Sequence, residues 1–196
     1  MKLKRTLHLM SITIIGVAIM SIVACAQPPE EEMAAAQEAV NRAQENPDVR
    51  EYAPQSLEDA QQLLAEMESA AENEEYDSAR TLAGETQAAA EQALEDAAGA
   101  KASARDRAEN SVADATTALE EAQTAVDDAR DVAGLRLDLS ATERDLNTAA
   151  DEVSQAEAAI QEEEYAEAES LAENARASIS DTIRRISSAV REASGK

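Results

Sequence analysis

The chain has 196 residues, with 17 basic side chains against 41 acidic ones, a net charge of −24, and aromatics at 2%. A field of that sign repels phosphate backbones and anionic headgroups, so nucleic acid is not an expected partner. There is one histidine, His8, one cysteine, Cys25, and no Trp or Phe.

The chain opens with Lys2, Lys4 and Arg5, then an apolar run from Leu7 to Val23 that ends in Ile22-Val23-Ala24-Cys25. A positive start, a short hydrophobic stretch and a small residue before a cut are the parts of a secretory signal. An uncleaved anchor helix is the competing reading of this stretch, but His8, Ser11, Thr13 and Ser21 dilute it. The apolar-x-small-Cys ending resembles the lipobox of bacterial lipoproteins. The resemblance implies cleavage between Ala24 and Cys25, a covalent lipid on Cys25, and a chain held on a membrane by acyl chains. Ala26 follows the cysteine, where an aspartate implies retention at the inner membrane, so the expected home is the outer membrane of a bacterial envelope.

Loss of residues 1–24 takes away three cations and no acid, leaving 14 basic against 41 acidic residues, a net charge of −27. It also takes His8, while the lipid takes the thiol. Ser-His-Asp and Cys-His catalysis, His/Cys zinc sites and disulfides then have no residues to use. The scattered glycines form no phosphate-binding loop. Paired-carboxylate glycoside chemistry needs a rigid cleft, usually with aromatic platforms, which this composition does not offer. The expectation is a protein that is not an enzyme and carries no cofactor beyond its lipid.

Residues 25–32 read as a Pro-rich acidic tether. From Met33 an Ala-rich helix carries Met33, Ala36, Val40 and Ala43 on one stripe and ends at Asn46-Pro47-Asp48. A second helix starts near Pro54, a residue suited to a first turn, and repeats Leu57, Ala60, Leu64, Met67 and Ala71. Asn73 is expected to close it in the left-handed conformation. A third helix opens near Tyr76, and nothing stops it before Arg130. Gly84 and Gly99 each cost about 1 kcal/mol, which weakens a helix without ending it. The span 76–131 therefore predicts one long helix of up to about 80 Å with a bend point near Gly99. Gly134 offers a C-cap, and Ser140 with Glu143 forms a capping-box pattern. The helix that follows carries Leu146, Ala149, Val153 and Ile160. A last helix after Tyr165 carries Ala168, Ala172, Ile179 and Ile186.

The two halves repeat. Glu74-Glu75-Tyr76 with Ala79, Leu82 and Ala83 matches Glu163-Glu164-Tyr165 with Ala168, Leu171 and Ala172 at an offset of 89 residues. Upstream, Ala36-Gln37 and Ala39-Val40 match Ala122-Gln123 and Ala125-Val126 at an offset of 86. The period predicts two helical repeat units, 33–110 and 111–196, joined by the shared long helix. The fold class expected is all-α, an elongated antiparallel bundle with coiled-coil-like packing. The same packing period suits association between copies of the chain. Tyr76 and Tyr165 are expected to wedge the hairpin turns, since buried aromatics serve packing.

The Ala-rich helix, Tyr52-Ala53-Pro54, Leu57, Ala60, the acidic turn and Tyr76-x-x-Ala79-x-x-Leu82-Ala83 form one pattern. Residues 33–98 resemble the domain of unknown function 4398 family, found in small helical bacterial lipoproteins. The second unit departs from it, with Ala141-Thr142-Glu143 in place of the Tyr-Ala-Pro step. The hairpin around Tyr76 is also similar to a tetratricopeptide hairpin, without the 34-residue period. The first resemblance implies fold and location and brings no activity.

Two features remain as binding candidates. Arg184, Arg185, Arg191 and Lys196 reverse the sign of the chain near its end. Cations suit a helix C-terminus; the functional alternative is an anionic partner such as cell-wall polymer. A terminal lysine on a lipid-anchored helical chain also resembles the Braun-type lipoproteins, which implies a peptidoglycan link through Lys196. The carboxylate runs at 30–32, 72–75 and 162–164 lack the spacing and glycine of a calcium loop and read as solvated turns, with no metal site. The function expected is a lipid-anchored spacer or protein-interaction module with a protein partner in the envelope. The runner-up is a binding lipoprotein for a cationic small ligand or divalent metal.

Overall fold

The structure, a computed structural model, describes residues 27–195. The leader, Ala24, Cys25 and Lys196 lie outside the described residues. Six helices follow one another: α1 Glu30–Glu45, α2 Pro47–Tyr52, α3 Pro54–Glu72, α4 Tyr76–Arg130, α5 Leu139–Gln161 and α6 Tyr165–Ala193. Among the described residues there is no strand, and the fold is an all-α helical bundle. The described chain divides into two compact units that meet between Asp96 and Ala97, inside α4.

In the first unit, α1, α3 and the start of α4 share a core in which Ala36, Met67 and Ala83 meet, flanked by Met33, Leu64 and Leu82. α1 begins three residues ahead of the expected Met33. Glu30, Glu31 and Glu32 occupy its first turn, where carboxylates favour the positive end of the helix dipole. The proline at 47 ends α1 but also starts the short α2, which the sequence reading missed. Asn46 Oδ1 accepts the Asp48 N–H at 2.8 Å, and Pro47 sits where a missing N–H costs nothing. α2 turns Val49 fully inward and stops before Pro54, which disfavours helix in the preceding residue.

Both hairpin turns close in the same way. Glu75 N–H donates to Ala70 C=O (2.9 Å) and Glu74 N–H to Ala71 C=O (3.1 Å). Eighty-nine residues later, Glu164 N–H donates to Ala159 C=O (2.9 Å) and Glu163 N–H to Ile160 C=O (3.1 Å). This is the Schellman pattern that satisfies the last carbonyls of a helix. The left-handed residue is Glu74 (φ 61°) and, in the second turn, Glu163 (φ 64°). Asn73, expected in that role, keeps φ −83°, because it stands one position too early, at the C-cap itself.

In the second unit α4, α5 and α6 share one core, with Val112, Val126, Leu146, Val153, Ile179 and Ile186 as its larger members between alanines. α4 ends at Arg130, and Gly134 (φ 82°) lies beyond it in a turn closed by Leu135 N–H to Val132 C=O (3.4 Å). Gly134 therefore shapes the link and does not cap α4. The link's Leu135 and Leu137, with Leu139 at the start of α5, pack against the core. α5 is capped by Asp138, whose carboxylate accepts the Ala141 N–H at 3.0 Å. The expected Ser140–Glu143 box is displaced by two residues, because α5 already begins at Leu139, which packs against the core.

Three ion pairs mark how α6 lies on α4: Lys101–Glu163 (2.6 Å), Arg107–Glu169 (3.4 Å) and Asp114–Arg176 (3.2 Å), each spanning 62 residues. A constant separation means that the two helices run parallel without slipping. In the first unit Arg80 meets Glu32 at 3.1 Å across 48 residues. Carried forward by 89 residues, Arg80 falls on Glu169, so Glu32 corresponds to Arg107, an offset of 75. The sequence offset of 86 for this helix is corrected by eleven residues, roughly three turns on the same face.

Candidate functional site

α1 begins at Glu30, five residues after Cys25 in the sequence. The Arg80–Glu32 pair sets the start of α1 beside the first turn of α4. The Asn73–Glu75 turn is therefore at the same end of the first unit. Arg80 pairs there with Glu32 at 3.1 Å and with Asp77 at 3.7 Å, and Glu72, Glu74 and Glu75 belong to the same turn region. A hydrogen bond from its own backbone N–H, and then the Arg80 guanidinium, hold Glu32 below the usual carboxylate range. Tyr76, the first residue of α4, is half-buried, while its counterpart Tyr165 is 7% exposed.

The second hairpin turn is acidic too. Glu163 is engaged by Lys101. Glu164 is pushed above the usual range, first by the charge of Glu167, with burial and Glu162 adding to it. Among the described residues, no three carboxylates or other metal-ligating groups converge.

The arginines near the chain's end are split. Arg184 Nη2 donates to Asp181 at 2.6 Å, and Arg185 Nη2 to Asp145 at 2.5 Å and to Thr182 Oγ1 at 3.0 Å. These two brace α6 internally and against α5. Arg191, in the last turn of α6, is exposed and has no ion-pair partner among the described residues. Lys196 lies outside them.

A shallow groove of about 220 Å³ lies between the end of α4 and the start of α5. Its floor is Val126 and Leu146, and its rim is Gln123, Asn147 and the ion triad Asp127–Arg130–Glu143. Arg130 lies between the two carboxylates of the rim and pairs with both Asp127 and Glu143.

One relationship escaped the sequence reading. Ser56 Oγ donates to Asp96 Oδ2 at 2.7 Å, linking α3 to α4 across 40 residues. Arg185 and Asp145 link α6 to α5 across the same 40. The 89-residue offset carries Ser56 onto Asp145 and Asp96 onto Arg185. The donor and acceptor change sides, so no identity at these positions could have signalled the pair.

The first unit thus runs helix, break, helix, acidic turn, helix, with Tyr52-Ala53-Pro54 at the break and Tyr76 opening α4. Residues 31–109 match the domain of unknown function family DUF4398. The DUF4398 stretch takes in α1, α2, α3 and the first part of α4, and runs 13 residues beyond Asp96. No curated protein and no solved structure matches the chain. Among the described residues, DUF4398 stretch included, no helix is long and apolar enough to cross a membrane.

Proposed function

We propose that this chain is a lipid-anchored lipoprotein of the bacterial cell envelope, working as a structural spacer or protein-interaction module. The observation that carries the reading is Ile22-Val23-Ala24-Cys25, a lipobox-like ending after a charged and then apolar leader. Acylated Cys25 would hold the first helical unit close to the bilayer through a tether of a few residues. The acidic surface then keeps the helices off anionic headgroups, leaving their faces for a protein partner. By the residue after the cysteine, Ala26, the outer membrane is the compartment, facing the periplasm or the surface.

Metabolic labelling with palmitate tests the anchor. The expected result is label in the full chain, none in Cys25→Ser, and release of the Cys25→Ser protein from the membrane fraction. An unlabelled chain that retains residues 1–24 sinks the reading. Crosslinking in intact cells then asks whether labelled chains sit beside a constant protein neighbour, as an interaction module requires.

A further inference from the structure

Between Leu94 and Val112, α4 carries no apolar side chain larger than alanine. Its inward positions there are Ala97, Ala104 and Ala108, all buried yet each removing little apolar area from water. Gly99 stands in the middle of this stretch. A Cβ built there meets nothing within 4 Å, so packing does not require a glycine at that position. The Ser103 hydroxyl donates to the Gly99 carbonyl at 3.0 Å, competing for the acceptor that holds the helix. Lys101 braces the stretch through Glu163, a partly exposed contact of small worth. The two compact units meet three residues before Gly99.

We propose that α4 opens locally at residues 97–103 and that this opening makes the two units separate cooperative folding units. Continuous helix on either side of the stretch is held by larger apolar neighbours: Met67, Leu64 and Leu82 in the first unit, Val112 and Val126 in the second. Local stability follows the density of such contacts. The stretch combines inward contacts made by alanine alone with a residue of low helix propensity. The inference stands whether or not Cys25 is acylated.

Amide hydrogen exchange on the full chain carrying Cys25→Ser tests it. The expected result is faster exchange at amides 100–104 than at 86–93 and at 115–126. Gly99→Ala should slow exchange at 100–104 about fivefold, the equivalent of the helix penalty of glycine. Gly84→Ala is the control, since a Cβ there also meets nothing within 4 Å; it should leave 100–104 unchanged. Uniform protection along α4 overturns the proposal. So does equal slowing at 100–104 by both variants, which would mean that these amides exchange by global unfolding.

Discussion

Glu74 and Glu163 stand 89 residues apart and share a left-handed backbone, φ 61° and 64°, at the same place in two hairpin turns. A side chain in that region costs about 1–2 kcal/mol, and glycine returns part of the gain through the unfolded state. Glu74→Gly is expected to raise stability by about 0.5–1 kcal/mol on these terms. Glu163→Gly should gain less, because it also gives up the Lys101 contact. Urea denaturation of both variants checks the order; a loss at Glu74 would mean that its side chain holds the turn.

Thr86 is fully buried in α4, and its hydroxyl has no hydrogen-bond partner. Its counterpart at the 89-residue offset is Ala175, also fully buried. A buried unpaired polar group costs about 1–3 kcal/mol, and valine keeps the shape and branching. Thr86→Val is expected to stabilise the first unit by about 1 kcal/mol or more. A fall in the thermal midpoint of this variant would show that the hydroxyl has found a partner.

Most core positions are alanine, so the few large side chains carry a high share of the burial. Ile179 and Met67 are the largest fully buried ones. Truncation of either to alanine is expected to cost about 2–5 kcal/mol, since the surrounding helices cannot close the gap completely. Circular dichroism melts of Ile179→Ala and Met67→Ala measure it, and costs under about 1 kcal/mol would mean a loosely packed interior.

Acid should act in two opposed steps. Glu164 is raised in the folded state, chiefly by Glu167, so its charge disfavours folding at neutral pH. Stability returns as pH falls through that raised value. Asp96, lowered by the Ser56 and then the Gln92 hydrogen bond, and Asp181, lowered first by Arg184, act the other way. Their contributions are complete above the ordinary carboxylate range and are lost as pH falls through the depressed folded values. Glu164→Gln is therefore expected to melt above the parent chain at neutral pH, with the gap closing in acid. Ser56→Ala should return Asp96 toward ordinary titration, read from its carboxyl carbon shift by NMR; no movement would discount the bond.

Helix content, hairpin turns and the duplication were legible because they rest on local signals. Apolar residues at spacings of three and four, Pro47 and Pro54, and the paired Glu-Glu-Tyr turns each act on residues a few positions away. Caps were less legible. Asn73, Ser140 and Gly134 all had suitable chemistry, yet Glu74 and Asp138 took the first two roles and the end of α4 fell short of Gly134. Which of several adjacent candidates serves depends on where packing stops the helix.

By itself, the sequence determined that this chain is helical, duplicated, acidic and poor in reactive side chains. The Ala-rich stripe looks alike when moved by eleven residues, so it left the placement of the first helix of each unit undecided. That register was settled by the tertiary structure, where bulky residues such as Val126, Leu146 and Ile186 must find one another across α4, α5 and α6. The pairs Lys101–Glu163, Arg107–Glu169 and Asp114–Arg176 record the outcome. Alanine is too small and too uniform to distinguish one turn from the next, whereas a branched side chain fits one gap and leaves a void in its neighbour.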